Sequence, residues 1–364
     1  MIKSWDYLNY YKKNKKEIIK LVDKVFSSGN LILGPEVEKL EKNFSKFIGS
    51  KFAVGVGNCT DAIYISLKAL NIGRGCEVIT VSNTAVPTIS AIVNTGAVPR
   101  YVDIGDDYLI DTEKIEKLIN KKTKAIIPVH LYGQVCDMKK IIKIAKKYNL
   151  KIIEDCAQST GASQNGKKSG NFGDTGCFSF YPTKIMGGFG DGGMITTNNL
   201  KIYKKILKLR FMGIDRKSNY FATINGVNSR LDEVHASILN LKLKKINKEI
   251  KTRNKISKIY FKGFQNTDLI LPKINKNNKH VFYEYVVRSN KRSEIIKKLK
   301  KNKIFLKITY PHPIHKMPPY RVYSRESSLA NTTKYSKLIF SLPIYPELTK
   351  TDQKKIIINI KEIL

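Results

Sequence analysis

No run of apolar residues in this sequence approaches the ~18 to 20 that a membrane-spanning helix needs. The opening residues Met1-Ile2-Lys3-Ser4-Trp5-Asp6 also lack the apolar core of a signal peptide. The expectation is a cytoplasmic protein that does not enter a membrane. Cysteine is scarce too: Cys59, Cys76, Cys136, Cys156 and Cys177 are odd in number and too scattered for a Cys-x-x-Cys metal site. They read as reduced thiols, most of them core residues beside strands, and no metal is expected. Acidic residues are the third shortage, with 30 Asp and Glu against 66 Lys and Arg and a formal net charge of +36. An excess of that size raises the question of nucleic acid. The lysines, however, run from Lys12 to Lys361 among many Ile and Asn, with no zinc-finger, helix-turn-helix or aromatic RNA-binding signature beside them. No specific nucleic-acid partner is expected. The charge would attract polyanions nonspecifically, a nucleotide diphosphate included, with strong salt sensitivity.

What is present is an ordinary globular composition, 42% hydrophobic and 10% aromatic over 364 residues, long enough for a large α/β domain and a smaller second one. Apolar spacing predicts helices over 11–26 and 35–47, a strand at 52–56 and a helix over 62–70. Strand and helix then alternate: strands at 78–81, 99–102, 125–129 and 151–153, and helices at 87–93, 112–119 and 139–147. Such alternation gives a largely parallel sheet with helices on both faces. Strands at 177–180 and 194–196, a helix over 202–211, a polar loop from Gly213 through Asn225 and a long helix over 231–248 complete a first domain, 1–250. The second, 251–364, is expected to hold strands at 280–288 and 304–308 and helices over 296–299 and 352–363.

The chemistry gathers around Ser179-Phe180-Tyr181-Pro182-Thr183-Lys184 and the glycine run Gly187-Gly188-Phe189-Gly190-Asp191-Gly192-Gly193. A strand that ends in a Pro turn places Lys184 on a bend between small residues, where another molecule can come close. Upstream, Glu154-Asp155-Cys156-Ala157-Gln158-Ser159 puts a carboxylate at another strand end, and open α/β sheets bind ligands outside the carboxyl ends of their strands. A lysine amine, a carboxylate for a pyridinium nitrogen and a carboxamide for a ring hydroxyl are the parts that pyridoxal phosphate needs. Asp155 capping its own loop at 157–159 is the structural alternative. Gly57-Asn58-Cys59-Thr60-Asp61 joins a strand to a helix start, whose free N–H groups suit an anion. Asn58 or Thr60 as a plain N-cap is the alternative there.

Four ordered runs resemble the DegT-type sugar-nucleotide aminotransferases: Glu154-Asp155-Cys156-Ala157-Gln158, Phe178 to Lys184, Gly190-Asp191-Gly192-Gly193 and Gly226-Val227-Asn228-Ser229-Arg230-Leu231-Asp232-Glu233. The likeness extends from Leu33-Gly34-Pro35 to Tyr345-Pro346-Glu347. It implies a fold type I enzyme, with a large domain built on a mostly parallel mixed sheet flanked by helices and a smaller C-terminal α+β domain. The cofactor is then pyridoxal 5'-phosphate, cycling with its pyridoxamine form. Lys184 would be the Schiff-base lysine and proton carrier and Asp155 the partner of the ring nitrogen. Gln158 would hold the ring hydroxyl, with Cys59, Thr60, Ser179 and Asn228 at the phosphate. Cys59 stands where the family usually has Gly, and Ala85 where many relatives stack an aromatic ring on the cofactor.

In such relatives the Asn228 position reaches into the neighbouring subunit, which implies a homodimer with shared sites. Tyr181, Arg216, Tyr310 and His315 are candidate substrate contacts, whereas His130 reads as structural rather than as a proton shuttle. The implied reaction takes an amino group from glutamate and delivers it to a nucleotide-linked keto-deoxysugar, in the making of surface polysaccharide or lipopolysaccharide. The run Met212-Gly213-Ile214-Asp215-Arg216 with the Asn228 motif looks like relatives that aminate carbon 3 of dTDP-3-keto-6-deoxyhexoses. The alternatives are amination of a UDP- or dTDP-linked 4-keto sugar, a dehydratase on the same scaffold, in which histidine replaces the lysine, and a regulatory DNA-associated protein prompted by the charge alone.

Overall fold

The structure is a computed structural model and describes residues 1–215, 219–324 and 328–364. Seven strands form the main sheet: β1 (Phe52–Val56), β2 (Glu77–Val81), β3 (Val98–Val102), β4 (Thr123–Ile126), β5 (Lys151–Asp155), β6 (Thr175–Ser179) and β7 (Gly193–Thr197). Their order is β1-β7-β6-β5-β4-β2-β3. Only β7 runs against its neighbours, pairing Val56 and Ser179 with Gly193. The other contacts in the sheet, from β6 to β3, are parallel. The carboxyl ends of β1, β2, β5 and β6 and the start of β7 therefore share one edge.

Helices cover both faces because the strands are buried on both. Helices α1 (Leu8–Ser28) and α2 (Pro35–Ile48) come first, then α3 (Cys59–Ala69), α4 (Val86–Asn94), α5 (Met138–Lys147), α6 (Leu200–Leu209) and α7 (Glu233–Phe264). Phe44 of α2 meets Phe178 and Phe180 edge-on at 4.9 and 5.7 Å between ring centroids, and α5 packs on the same face. The apolar stripes of α3, α4 and α6 fill the other. No helix among the described residues is long and apolar enough to cross a membrane.

Helix α2 starts at Gly34, whose side chain cannot cap it, and is capped from 199 residues away. The buried Glu233 carboxylate accepts from Gly34 N and Val37 N through Oε1 and from Glu36 N through Oε2, at 2.8, 3.0 and 2.7 Å. These are charge-assisted bonds to the positive end of a helix, in a site 1% exposed. Glu233→Ala orphans three N–H groups and is expected to lower stability by about 3 kcal/mol, read as a fall in the thermal midpoint.

Several elements depart from the sequence reading. Helix α7 does not end at 248 but continues to Phe264, burying Ile250, Arg253, Ile256, Tyr260 and Phe264 at helical spacing. The expected division after residue 250 thus falls inside a helix. The stretch 112–119 forms two 3-10 turns, Thr112–Lys114 and Glu116–Leu118, because Asp111 caps Glu113 N and Ile119 turns extended after barely two turns of chain. The expected strand at 280–288 pairs only at β8 (Tyr285–Arg288), since Phe282 adopts φ 49° and donates its N–H to His280 Nδ1 at 2.8 Å. Residues 304–308 contribute isolated bridges to Ile2 and Ser341 rather than a strand. The partner of β8 is β9 (Ile339–Leu342). Helices α8 (Arg292–Lys301), α9 (Ala330–Ser336) and α10 (Lys350–Lys361) follow in chain order. The end of α7 meets β8, β9 and α10 in a second core around Tyr260, Phe264, Tyr285 and Phe340.

Candidate active site

The shared sheet edge assembles the site. Asp155 closes β5, 4% exposed. Its Oδ1 accepts from Ala157 N (3.1 Å), and its Oδ2 accepts from Thr88 Oγ1 of α4 (2.8 Å), itself in contact with Thr84 Oγ1. The loop cap weighed from the sequence is therefore present, on Oδ1, and a carboxylate bonded once at each oxygen keeps acceptor capacity. Beneath it, Glu154 is saturated: Oε1 accepts from Phe172 N and Gly173 N, and Oε2 from Gly170 N and His130. His130 Nδ1 accepts from Cys136 N, which puts the ring proton on Nε2, 2.9 Å from Glu154. With Cys156 nearby these side chains have the look of a metal cluster. Their hydrogen bonds make them instead a buried brace under Asp155.

The phosphate-type cradle forms where β1 turns into α3. Asn58, extended, accepts from Asp61 N at 2.8 Å and is the N-cap. Cys59 and Thr60 follow in the first turn, whose N–H groups lack intrahelical acceptors. At Gly193 a Cβ would lie 2.6 Å from the Asn58 carbonyl and 3.0 Å from Cys59 N, so only glycine lets β7 press against this helix start. Burial holds the Cys59 thiol well above its ordinary range; Asp155 adds to the rise and Lys184 opposes it. Cys59 is thus a protonated, inert side chain whose neighbours are the two residues singled out as catalytic. Ser179 ends β6, buried, its Oγ accepting from Tyr181 N at 3.3 Å.

After Ser179 the chain turns through Pro182. Lys184 N donates to Tyr181 O and Gly187 N to Lys184 O, both at 2.9 Å. A Cβ on Gly187 would sit 2.3 Å from Pro182 O, which explains the glycine. Lys184 is half-buried, with Nζ 4.8 Å from the centroid of the Tyr283 ring. Gln158 is held at both ends: Tyr132 N donates to its Oε1 (2.7 Å), and its Nε2 donates to Tyr310 OH (2.9 Å). Because the carbonyl is committed to Tyr132, the amide presents donors to the cleft. Burial pushes the Tyr310 hydroxyl well up, so it stays protonated.

Lys184, Asp155, Gln158, Ser179, Cys59, Thr60 and Tyr310 thus meet at one edge. Tyr181 is 51% exposed beside them. His315 reaches the same edge but is pinned: Nδ1 lies 2.7 Å from Ser82 Oγ and Nε2 3.2 Å from Thr333 Oγ1, and burial pushes its pKa down. A neutral ring with both nitrogens engaged supports the loop and offers no free group to a substrate. Ala85 is the half-buried residue before α4, and nothing larger replaces the missing aromatic at that position. Asn228 lies exposed, whereas its neighbour Ser229 turns inward, donating to Asp61 Oδ2 and accepting from Gly57 N. Arg216 falls outside the described residues. Tyr283, over whose ring Lys184 Nζ lies, and its neighbours Glu284 and Lys307 were not singled out from the sequence. A groove of ≈ 1140 Å³ runs between α2 and α6 and includes none of these side chains.

Residues 12–361 match the family described as DegT/DnrJ/EryC1/StrS aminotransferases. The chain belongs to this family. It is 42% identical, over 99% of its length and 98% of the other, to dTDP-3-amino-3,4,6-trideoxy-alpha-D-glucose transaminase of Micromonospora megalomicea subsp. nigra. It is 40% identical, over 98% of both chains, to dTDP-3-amino-3,6-dideoxy-alpha-D-galactopyranose transaminase of Aneurinibacillus thermoaerophilus. Two further relatives, 38% and 35% identical, are a UDP-2-acetamido-2-deoxy-3-oxo-D-glucuronate aminotransferase and a GDP-perosamine synthase. The S. venezuelae DesV structure superposes with a TM-score of 0.94 at 32% identity, covering 98% of this chain and 97% of that one. Bacillus subtilis ntda with bound cofactor PMP gives 0.91 at 30%, covering 96% and 82%. The architecture is the fold type I aminotransferase fold, and the family's donor set fits the residues at the sheet edge.

Proposed function

We propose that this pyridoxal-phosphate-dependent sugar aminotransferase converts a dTDP-3-keto-6-deoxyhexose to the dTDP-3-amino-3,6-dideoxyhexose, with glutamate as amino donor. The observation that carries the reading is the meeting of Lys184, Asp155 and Gln158 at one sheet edge beside the free first turn of α3. Support for the dTDP-linked 3-keto substrate comes from the two relatives at 42% and 40% identity. The relatives named for UDP- and GDP-linked sugars favour a second reading, amination of another nucleotide-linked sugar, 4-keto sugars included. Lysine rather than histidine at 184 disfavours the dehydratase.

When bound, the cofactor supplies a carbonyl carbon to carry the amino group and a ring that withdraws electrons. Asp155, buried and bonded by Thr88 and Ala157, would partner the pyridinium nitrogen, and a carboxylate there favours its protonated form. Gln158 donates to a ring hydroxyl. The N–H groups of Cys59 and Thr60, with Ser179 Oγ, take a phosphate, and the positive end of α3 adds to the attraction. The exposed Asn228 would complete the neighbour's phosphate site in a homodimer. The Lys184 amine, on a bend beside Tyr283, would take the proton from the donor Cα and return it in the second half of the reaction. In this reading residues 1–250 and 251–364 are two domains joined by α7, in a cytoplasmic enzyme of surface-polysaccharide synthesis.

The test is turnover followed by mass spectrometry with glutamate and a panel of dTDP- and UDP-linked 3-keto and 4-keto sugars. Amine formation on dTDP-3-keto sugars is expected. Amine on 4-keto sugars alone would overturn the carbon 3 assignment.

A further inference from the structure

Between the Lys184 loop and the second domain lies a cleft of ≈ 170 Å³, lined among others by Trp5, Thr183, Arg253, Tyr283, Glu284 and Lys307. It carries two cations and one anion. Glu284 is fully engaged: Oε1 accepts from Lys307 Nζ (2.8 Å) and Thr309 Oγ1 (3.0 Å), and Oε2 from Ser341 Oγ (2.7 Å). Arg253, 5% exposed, donates through one terminal nitrogen to the carbonyls of Phe282, Tyr283 and Ile344, all neutral acceptors. Its buried Nε has no acceptor among the described residues. Glu249 and Glu347 act on Arg253 only at a distance, and burial raises the Glu249 carboxyl. A buried guanidinium N–H without an acceptor is costly, and native proteins rarely leave one so unless something else supplies the acceptor.

The net positive charge and small volume suit one carboxylate. The cleft is also close to the chemistry. Lys184 Nζ and Lys307 Nζ lie 4.8 and 5.9 Å from the centroid of the same Tyr283 ring, so that ring links the cleft to the Lys184 amine. We propose that this cleft is the carboxylate subsite for the amino donor, with Lys307 and Arg253 as its cationic walls and Trp5 beside them. The proposal rests on the aminotransferase reading and deepens it. A donor with a carboxylate gains a charged anchor here that an uncharged sugar ring does not, so one site can hold two unlike substrates in turn.

Trp5 is the sole tryptophan in the chain, so its emission reports occupancy without turnover. Glutarate, which lacks the transferable amine, is the probe, added to the cofactor-loaded full chain. A saturable emission change is expected, with none for uncharged glutaramide. Lys307→Gln keeps a hydrogen bond to Glu284 but removes the charge. It should weaken glutarate at least tenfold and raise KM for glutamate by a similar factor with kcat within threefold, while Lys307→Arg restores binding to within about threefold. An equal glutarate response in wild type and Lys307→Gln, or an equal response to glutaramide, overturns the subsite. If that happens while sugar amination persists, the aminotransferase reading stands alone. Lys307-dependent glutarate binding in a protein that aminates no sugar would overturn that reading instead and leave the anion site standing.

Discussion

Replacing Lys184 by alanine is expected to lower transamination turnover by about 10⁴-fold, the upper end for a positioned proton-transfer group, because in the proposed reaction this amine both carries the cofactor and moves the proton. Stability should barely change. Lys184 is half-buried, and its contact is the face of Tyr283, worth about 0.5–1 kcal/mol at a partly exposed site. Lys184→Arg should fare little better, since a guanidinium does not give up its proton near neutral pH. The same loop geometry holds in either variant, because it depends on backbone bonds from Lys184 N and Gly187 N. Turnover within tenfold of wild type in the alanine variant, by steady-state assay with matched thermal midpoints, would contradict the assignment.

Asp155→Asn should lower kcat by about 10² to 10³-fold, the scale for losing a preorganised electrostatic partner in a dry site. The substitution is nearly isosteric, yet it cannot satisfy all its neighbours. Thr88 Oγ1 and Ala157 N both donate to the carboxylate. An asparagine turned to accept from one presents its amide hydrogens to the other or to a protonated ring nitrogen. The loss should therefore appear in kcat with a modest fall in thermal midpoint, and Asp155→Glu should recover little because the strand end fixes the reach. A kcat within threefold of wild type would move the ring-nitrogen role elsewhere.

Much of this site is local in sequence. Asp155, Gln158, Ser179, Lys184 and Cys59-Thr60 each sit at or just past the end of a strand whose apolar run is plain, so an alternating pattern was enough to bring them to one edge. The rest depends on the fold at long range. Tyr283 reaches Lys184, and Lys307 reaches Tyr283, from beyond α7 in the chain, and α7 itself was read short because Lys251, Lys255, Lys258 and Lys262 obscure the buried stripe beneath them. That stripe, at 250, 253, 256, 260 and 264, was the available signal. Glu233 capping α2 joins positions 199 residues apart, beyond any local pattern. The break at Phe282 arises from a left-handed backbone, which an aromatic residue in an apolar run does not announce. His315 was singled out for its chemistry, and the contacts that pin it, Ser82 and Thr333, are remote in the chain.

The central claim is that Lys184 carries the cofactor, and borohydride reduction followed by peptide mapping tests it most directly. The purified yellow protein is expected to bleach on reduction and to yield one phosphopyridoxyl-modified peptide, with the label on Lys184 among all the lysines of this basic chain. A label on another lysine, or bleaching with no modified peptide, would contradict the account.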